Sequence, residues 1–369
     1  MPTPPATPAM VTSEAGCDCD CTALHPPATT AQAGLYLHSP SHHVRRLLRR
    51  HLREQGVPHE DRPAGLLLPA PDSSTLDTLL STFTPTERGE LLAAPAVPSG
   101  GPPDAWQAAP LERWAQRLGT PWFFPAAERL RFHLQPIADL RTGHVYGYEA
   151  LVRADWQGEL IGAGPLLQAA AAHGQARAFD ALARRGAIRQ AYPHLQPHEV
   201  LFINFAPGVI YNPDVCLQTT FQACREVGAD FSRLLFEVTE SEAFPDLNLL
   251  QRILERYRAE GAQVALDDLG AGHTSLSFLA RLRPDIVKLD RALISGVKDD
   301  DPRLMLIQAL IRYAHDLGIR VVAEGVETES ELRLLRDLGA DYAQGYFLGR
   351  PAPVPGGLSA QSVGLWNPA

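Results

Sequence analysis

The chain has 369 residues, of which 45% are apolar and 20% charged, and its formal net charge is −9. At about 100–200 residues per domain, this length predicts two folded units. The acidic balance argues against a binder that tracks a nucleic-acid polymer, because no overall positive field would gather a polyanion. A small anion stays admissible where metals or a local Arg reverse the charge. Five cysteines are too few for a disulfide framework and fit a reducing compartment. No Lys or Arg precedes Arg45, and no apolar run nears the roughly 18 residues of a membrane span. Neither a secretion signal nor a membrane anchor is expected, and the predicted location is the cytoplasm.

Residues 1–33, rich in Pro, Thr and Ala, bury too little apolar surface to offset the entropy of ordering and read as a tail. Within them Cys17, Cys19 and Cys21 alternate with Asp18 and Asp20, with His25 behind. Thiolates at i, i+2 and i+4 suit zinc or a redox exchange with a second chain, but the spacing departs from Cys-x-x-Cys and the surroundings suit a passive tail; both readings stay open.

Residues 34–100 predict a small α/β domain: a short strand at Leu35-Tyr36-Leu37, a basic amphipathic helix from Val44 to Gln55, a strand at Leu66-Leu67-Leu68 and a helix from Ser74 to Ala93. In the first helix Arg45, Arg46, Arg49, Arg50 and Arg53 lie opposite Val44, Leu47, Leu48 and Leu52. That face is either solvated over a small core or a docking surface for an anionic partner. An extra domain ahead of an enzyme would be regulatory by analogy. Pro95–Pro103 reads as a linker, and residues 101–126 carry the connection, with a helix near Leu111–Leu118. A further helix near Ala126–Arg131 leads into the second unit, residues 127–355, which residues 356–369 follow as a tail.

From about residue 132 short apolar runs alternate with helical segments, the pattern of a parallel sheet with crossover helices. The runs are Val145–Tyr148, Val200–Ile203, Leu234–Phe236, Val264–Leu266, Ile286-Val287, Arg320–Ala323 and Tyr342-Ala343. Helices are expected at Pro165–Gln175, Phe179–Tyr192, Val215–Val227, Leu247–Glu260, Ser275–Arg281, Arg303–Leu317 and Glu329–Leu338, the last with Thr328 and Glu331 as a capping box. Most runs end in a polar residue: Glu149, Asn204, Glu237, Asp267 with Asp268, Lys288, Glu324 and Gln344. In a β/α barrel such strand ends share one mouth, whereas a doubly wound sheet spreads them along a line. About seven or eight strands in roughly 220 residues favour the barrel.

Five carboxylates and an amide converging on a cavity cannot all stay charged and unpaired. Hard Mg²⁺ or Mn²⁺ answers that problem with oxygen ligands, and no His or Cys ends a strand to suggest zinc. Adjacent Asp267 and Asp268 cannot point the same way in a regular strand, so the strand is expected to end there. Two ions about 3.5–4 Å apart suit displacement at phosphorus. Lys288, one of two lysines among 33 basic residues, adds a point charge that donates to an attacking water or a phosphate oxygen; the bland alternative is a snorkelling strand-end residue. Gly270 and Gly272 permit a tight turn beside the acids.

These residues resemble the EAL-domain family, the cyclic di-GMP phosphodiesterases, from about Phe132 to Pro353. Seven blocks occur in order: Glu149-Ala150-Leu151 with Arg153; Asn204; Glu237-Val238-Thr239-Glu240; Asp267-Asp268-Leu269-Gly270-Ala271-Gly272; Lys288-Leu289-Asp290; Glu324-Gly325-Val326-Glu327; and Gln344-Gly345-Tyr346. The resemblance implies a modified TIM-type (β/α)8 barrel in which one early strand, at Phe132–Ile137, runs antiparallel to the others.

By the same resemblance Glu149, Asn204, Glu237 and Asp267 are expected to hold a first Mg²⁺ or Mn²⁺, and Asp267, Asp268 and Glu324 a second. Lys288 orients the water, Glu240 holds the Asp-Asp loop and Glu327 is a supporting acid. Arg153 meets a substrate phosphate, and Gln135, Asp290 and Gln344 bind the nucleotide. The proton of the water goes to Glu324 or to a hydroxide held by the ions; this stays open. The implied reaction opens cyclic di-GMP to linear pGpG, in a homodimer, with a non-catalytic cyclic di-GMP receptor as the alternative. Three positions depart from the family pattern: Ala206 stands for the usual Ser, Leu269 for an aromatic and His273 for Tyr. Loss of the hydroxyl at 206 is expected to loosen Asn204. No Gly-Gly-Asp-Glu-Phe-like motif accompanies the blocks, so synthesis of the dinucleotide is not expected.

Overall fold

A computed structural model describes residues 23–26, 34–63, 65–97, 103, 107–238, 246–270, 276–298 and 300–366, with the backbone but not the side chain of Asp268. Cys17, Cys19, Cys21, Glu240 and His273 lie outside the described residues.

The first unit is an antiparallel sheet backed by helices. Strand β1 (Leu35–His38) leads through α1 (His42–Glu54) to β2 (Glu60–Arg62), β3 (Gly65–Leu68), α2 (Ser73–Ser81), α3 (Pro85–Gly89), β4 (Leu92–Pro95), β5 (Ala109–Pro110) and α4 (Leu111–Gly119). The strands lie in the order β2-β3-β1-β4-β5. Leu48 and Leu52 of α1, Leu76 and Leu79 of α2, and Leu111 and Trp114 of α4 close on Leu35, Leu37, Leu66 and Leu68. The helix expected over Ser74–Ala93 is three elements instead. Thr84 and Glu87 form a capping box around Pro85, which starts a new helix where no backbone donor is needed. Leu92–Pro95 then pairs with β1 and completes the sheet.

Short helix α5 (Phe123–Ala127) precedes the second unit, and Leu130 already begins a strand where a helix to Arg131 was expected. The strands are β6 (Leu130–Asp139), β7 (Val145–Trp156), β8 (Glu159–Ile161), β9 (Val200–Phe205), β10 (Leu234–Val238), β11 (Gln263–Leu269), β12 (Ile286–Leu289), β13 (Arg320–Ala323) and β14 (Tyr342–Gln344). Between them run α6 (Ala163–Ala172), α7 (Ala176–Ala191), α8 (Pro213–Cys216), α9 (Gln218–Glu226), α10 (Leu247–Ala259), α11 (Leu276–Leu282), α12 (Arg291–Ile294), α13 (Arg303–Asp316) and α14 (Glu329–Asp337), with α15 (Ala360–Val363) after the last strand. The ring order is β6-β14-β13-β12-β11-β10-β9-β7, and β7 pairs back to β6, closing eight strands, with β8 attached outside. Strand β6 is antiparallel to both neighbours and the other ring pairs are parallel. The modified barrel and its antiparallel strand over Phe132–Ile137 are both present.

Side-chain alternation divides the strands into two faces. Ile137, Phe202, Leu235, Ala265, Ile286, Val322 and Tyr342 fill the ring, while Ile203, Phe205 and Phe236 join the larger core beneath the helices. The floor is polar but satisfied: Arg320 donates to the hydroxyls of Tyr342 at 2.8 Å and Tyr146 at 3.1 Å and to Gln263 Oε1 at 2.6 Å.

Candidate functional site

The candidate site lies one step above the apolar layer of the ring. Two residues past Phe202 comes Asn204, past Leu235 Glu237, past Ala265 Asp267, past Ile286 Lys288, past Val322 Glu324 and past Tyr342 Gln344. A period of two returns each to the interior face, so the apolar packing aims the polar set at one mouth. Gln135 arrives from the other direction: it lies two residues before Ile137 because β6 is reversed, and it pairs in register with Glu149.

Lys288 stands at the centre, 1% exposed. Its Nζ is 2.5 Å from Glu324 Oε1, 3.3 Å from Glu237 Oε1, 3.4 Å from Asp267 Oδ1 and 3.8 Å from Glu149 Oε2. Two amides orient Glu149: Asn204 Nδ2 donates to its Oε1 and Gln344 Nε2 to its Oε2, each at 2.7 Å. Gln344 also donates to Gln135 Oε1, and Gln135 to the Gly349 carbonyl.

The charges are unequal to one another, and the titration directions follow. Burial pushes Glu237 well above the ordinary carboxylate range against the pull of Lys288, with Glu149, Asp267 and Glu324 adding repulsion. Burial likewise raises Glu324, to about 8, with Lys288 opposing and Asp267 and Glu149 adding to the rise. At Glu149 burial also acts upward, but Lys288 and the two amides outweigh it and hold that carboxyl low. Burial alone would lower Lys288; Asp267, Glu149, Glu237 and Glu324 together hold its ammonium well above the ordinary value.

Several candidate residues are placed apart from this centre. Asp290 caps α12 by accepting the Ala292 amide at 2.7 Å. Glu327 pairs with Arg291 at 2.9 Å, and both line a mouth cavity of about 230 Å³ with Gln135, Glu149, Glu324 and Tyr346. Arg153 is half-buried and donates to the Val152 carbonyl, while its charge helps to lower Glu149. The Asp267-Asp268 strand continues to Leu269 rather than ending at the pair. Its ladder to β12 shifts register between Leu266 and Leu269, an irregularity that accommodates the two acids. Gly270 then turns at φ +108, as the loop required.

Sequence reasoning passed over two residues here and part of the role of a third. Arg291 follows directly on the Lys288 block and reaches Glu327. Asp180, on α7, accepts the Ala206 amide two residues beyond Asn204; a lone acid among the alanines of Ala178–Ala183 was its signal. Glu331 does more than cap α14, for it also accepts the Gly296 amide and ties two loops together.

The donor set fits a hard divalent cation. Four buried or nearly buried carboxylates face one ammonium, Glu237 Oε1 lacks hydrogen-bond geometry even beside Lys288, and Gln344 Oε1 is buried without a partner. Oxygen donors with excess negative charge are what Mg²⁺ or Mn²⁺ selects. In the structure as it stands Lys288 holds the acids, and no three of them converge as a ready ligand group among the described residues.

The EAL domain family matches residues 123–351. A cyclic di-GMP phosphodiesterase of Pseudomonas aeruginosa, NbdA, is 34% identical over 233 residues, covering 62% of this chain and 29% of that protein. The chain spans about three tenths of the length of the curated relatives it matches. Among solved structures, a standalone versatile EAL protein from Vibrio cholerae in its c-di-GMP-bound form superposes with a TM-score of 0.56 at 32% identity, covering 63% of this chain and 97% of that one. BlrP1 of Klebsiella pneumoniae, as a manganese and cyclic di-GMP complex, gives 0.56 at 31% identity, covering 60% and 56%.

Proposed function

The chain belongs to the EAL domain family, and from that premise we propose that it is a metal-dependent phosphodiesterase that hydrolyses cyclic di-GMP to linear pGpG. The observation that carries the reading is the single buried ammonium of Lys288 among Glu149, Glu237, Asp267 and Glu324. A receptor needs no such excess of buried acid, whereas a site for two cations does.

Glu149, Asn204, Glu237 and Asp267 would hold one Mg²⁺ or Mn²⁺, and Asp267, Asp268 and Glu324 a second. Such ions, when bound, neutralise charge on the phosphodiester and activate water. Against burial, Lys288, with the amides of Gln344 and Asn204, holds the Glu149 carboxyl low, and the two amides orient it. Lys288 would donate to the attacking water or to a phosphate oxygen, and the water's proton would go to Glu324 or to a hydroxide held by the ions. Water adds at phosphorus, one P–O ester bond opens, and the departing sugar oxygen is protonated. Arg153 meets a substrate phosphate, Gln135, Asp290 and Gln344 bind the nucleotide, Glu327 supports the metal acids, and Glu240 holds the Asp-Asp loop.

We assign the N-terminal sheet unit a regulatory role, residues 34–100 forming its body and α4 joining its core. A homodimer is supported by Met305 and Leu306, large apolar side chains exposed on α13. Free, buried Cys216 and Cys224 support a reducing cytoplasm, and no helix among the described residues is long and apolar enough to cross a membrane.

The test is purified chain with cyclic di-GMP and Mg²⁺ or Mn²⁺, products followed by chromatography, beside Glu149→Ala. Linear pGpG that vanishes in the variant supports the enzyme. Tight binding without turnover in either ion favours the receptor.

A further inference from the structure

We propose that Asp180, a carboxylate outside the barrel, positions Asn204 and thereby sets the affinity of the mouth for divalent cations. The inference rests on the reading of Asn204 as a ligand.

Asp180 sits on α7, 7% exposed, with both oxygens engaged. Its Oδ1 accepts the Ala206 amide at 2.8 Å. Its Oδ2 accepts Nε and Nη2 of Arg184 at 2.9 and 2.8 Å. Arg184 is 2% exposed and is fixed in turn, its Nη1 donating to Thr220 Oγ1 at 2.5 Å and to the Tyr257 hydroxyl at 3.5 Å. The carboxylate is therefore anchored on three elements, α7, α9 and α10, and cannot swing away from the strand it holds.

What it holds is the end of β9. The ladder with β10 finishes at Phe205, so the Ala206 amide is the first donor beyond it. Asn204 lies two residues back, aimed at Glu149. On the helix side Phe205 packs edge-on against Tyr257, and beside it a cavity of about 240 Å³ borders the start of the loop, lined by Phe132, Leu167, Ala183 and Ala206. Ala206 brings no hydroxyl of its own to the loop. A bond from a backbone amide to a carboxylate is the strong kind, and here it fixes the first backbone donor past the strand, where Ala206 has no polar side chain to do so. Partners that orient a ligand from behind typically alter metal affinity by about 10–100-fold when removed.

The experiment titrates Mn²⁺ into the metal-free full chain by calorimetry, and separately measures how turnover of cyclic di-GMP depends on Mn²⁺. Wild type is compared with Asp180→Asn, with the double variant Asp180→Leu/Arg184→Met, with Thr220→Val and with Asn204→Ala. The double variant leaves no buried charge unpaired, so it serves if Asp180→Asn does not fold. Thr220→Val loosens Arg184 but spares the Ala206 bond. We expect about tenfold weaker Mn²⁺ binding in the Asp180 variants, with the maximal rate at saturating Mn²⁺ mostly retained, and wild-type affinity in Thr220→Val. Unchanged Mn²⁺ affinity in a folded Asp180 variant, beside weakened Asn204→Ala, overturns the inference alone. An equal loss in Thr220→Val overturns it too, since the network would then be merely structural. Asn204→Ala binding as tightly as wild type overturns the ligand reading and this inference with it.

Discussion

Lys288 Nζ lies 2.5 Å from Glu324 Oε1, the shortest of four carboxylate contacts made by an ammonium that is 1% exposed. Lys288→Met removes the cation and leaves the acids facing each other. Breaking a buried pair in this way costs about 3–5 kcal/mol. The metal-free variant should unfold at a lower urea midpoint, and saturating Mn²⁺ should recover part of the difference by supplying the missing charge. An unchanged midpoint without metal would mean that the acids do not depend on Lys288.

Glu331 offers a pH test. It accepts the amides of Glu327 at 2.8 Å, Thr328 at 3.0 Å and Gly296 at 3.1 Å. Burial acts upward on it, but these bonds prevail and hold its pKa below the unfolded value of 4.5. The unfolded chain therefore takes up this proton at a higher pH than the folded chain. The stability contributed is present above the unfolded value and is lost as pH falls through the folded one. Glu331→Gln should show a shallower fall of melting temperature between about pH 5 and pH 3. Parallel acid limbs for the two proteins would sink the idea.

The Asp180–Arg184 pair should behave as a unit. Arg184→Met strands a buried carboxylate and Asp180→Leu strands a buried guanidinium, each costing about 3–5 kcal/mol. The double variant should cost less than either single change, because neutral side chains of similar size replace both ions. Urea denaturation of all four proteins measures the coupling, and simple additivity would contradict it.

Gly270 turns at φ +108, and a Cβ there would strike the side chain of Leu293. Gly270→Ala should destabilise the fold by about 1–3 kcal/mol through strain alone. Since the loop follows Asp267 and Asp268, cyclic di-GMP turnover should fall as well. A variant with wild-type stability would show that the backbone relaxes freely at this turn.

The parallel part of the barrel was legible because its chemistry sits near strand ends, where an apolar run stops at Asn204, Glu237 or Lys288; Glu149 was found by the same rule although β7 runs on past it to Trp156. Gln135 escaped that rule, since β6 is reversed and the residue lies in mid-strand; the family resemblance supplied it. The helix expected from Ser74 to Ala93 failed for a local reason, the cap at Thr84 and Pro85, and for a distant one, the pairing of Leu92–Pro95 with β1. Asp180 was invisible as a site residue because its partner Ala206 offers only a backbone amide, which no side-chain pattern records. Asp267 and Asp268 were read as a strand terminus when the strand in fact passes through them with a shift of register.

The closed floor of the barrel has a kinetic consequence. Arg320, Tyr146, Tyr342 and Gln263 seal one end, and Phe202, Leu235 and Ile286 block the interior above them. A guest that reaches Lys288 must enter and depart by the same doorway. On the proposed reading, an opened dinucleotide would obstruct its successor until it left, and traffic at the mouth would then limit turnover.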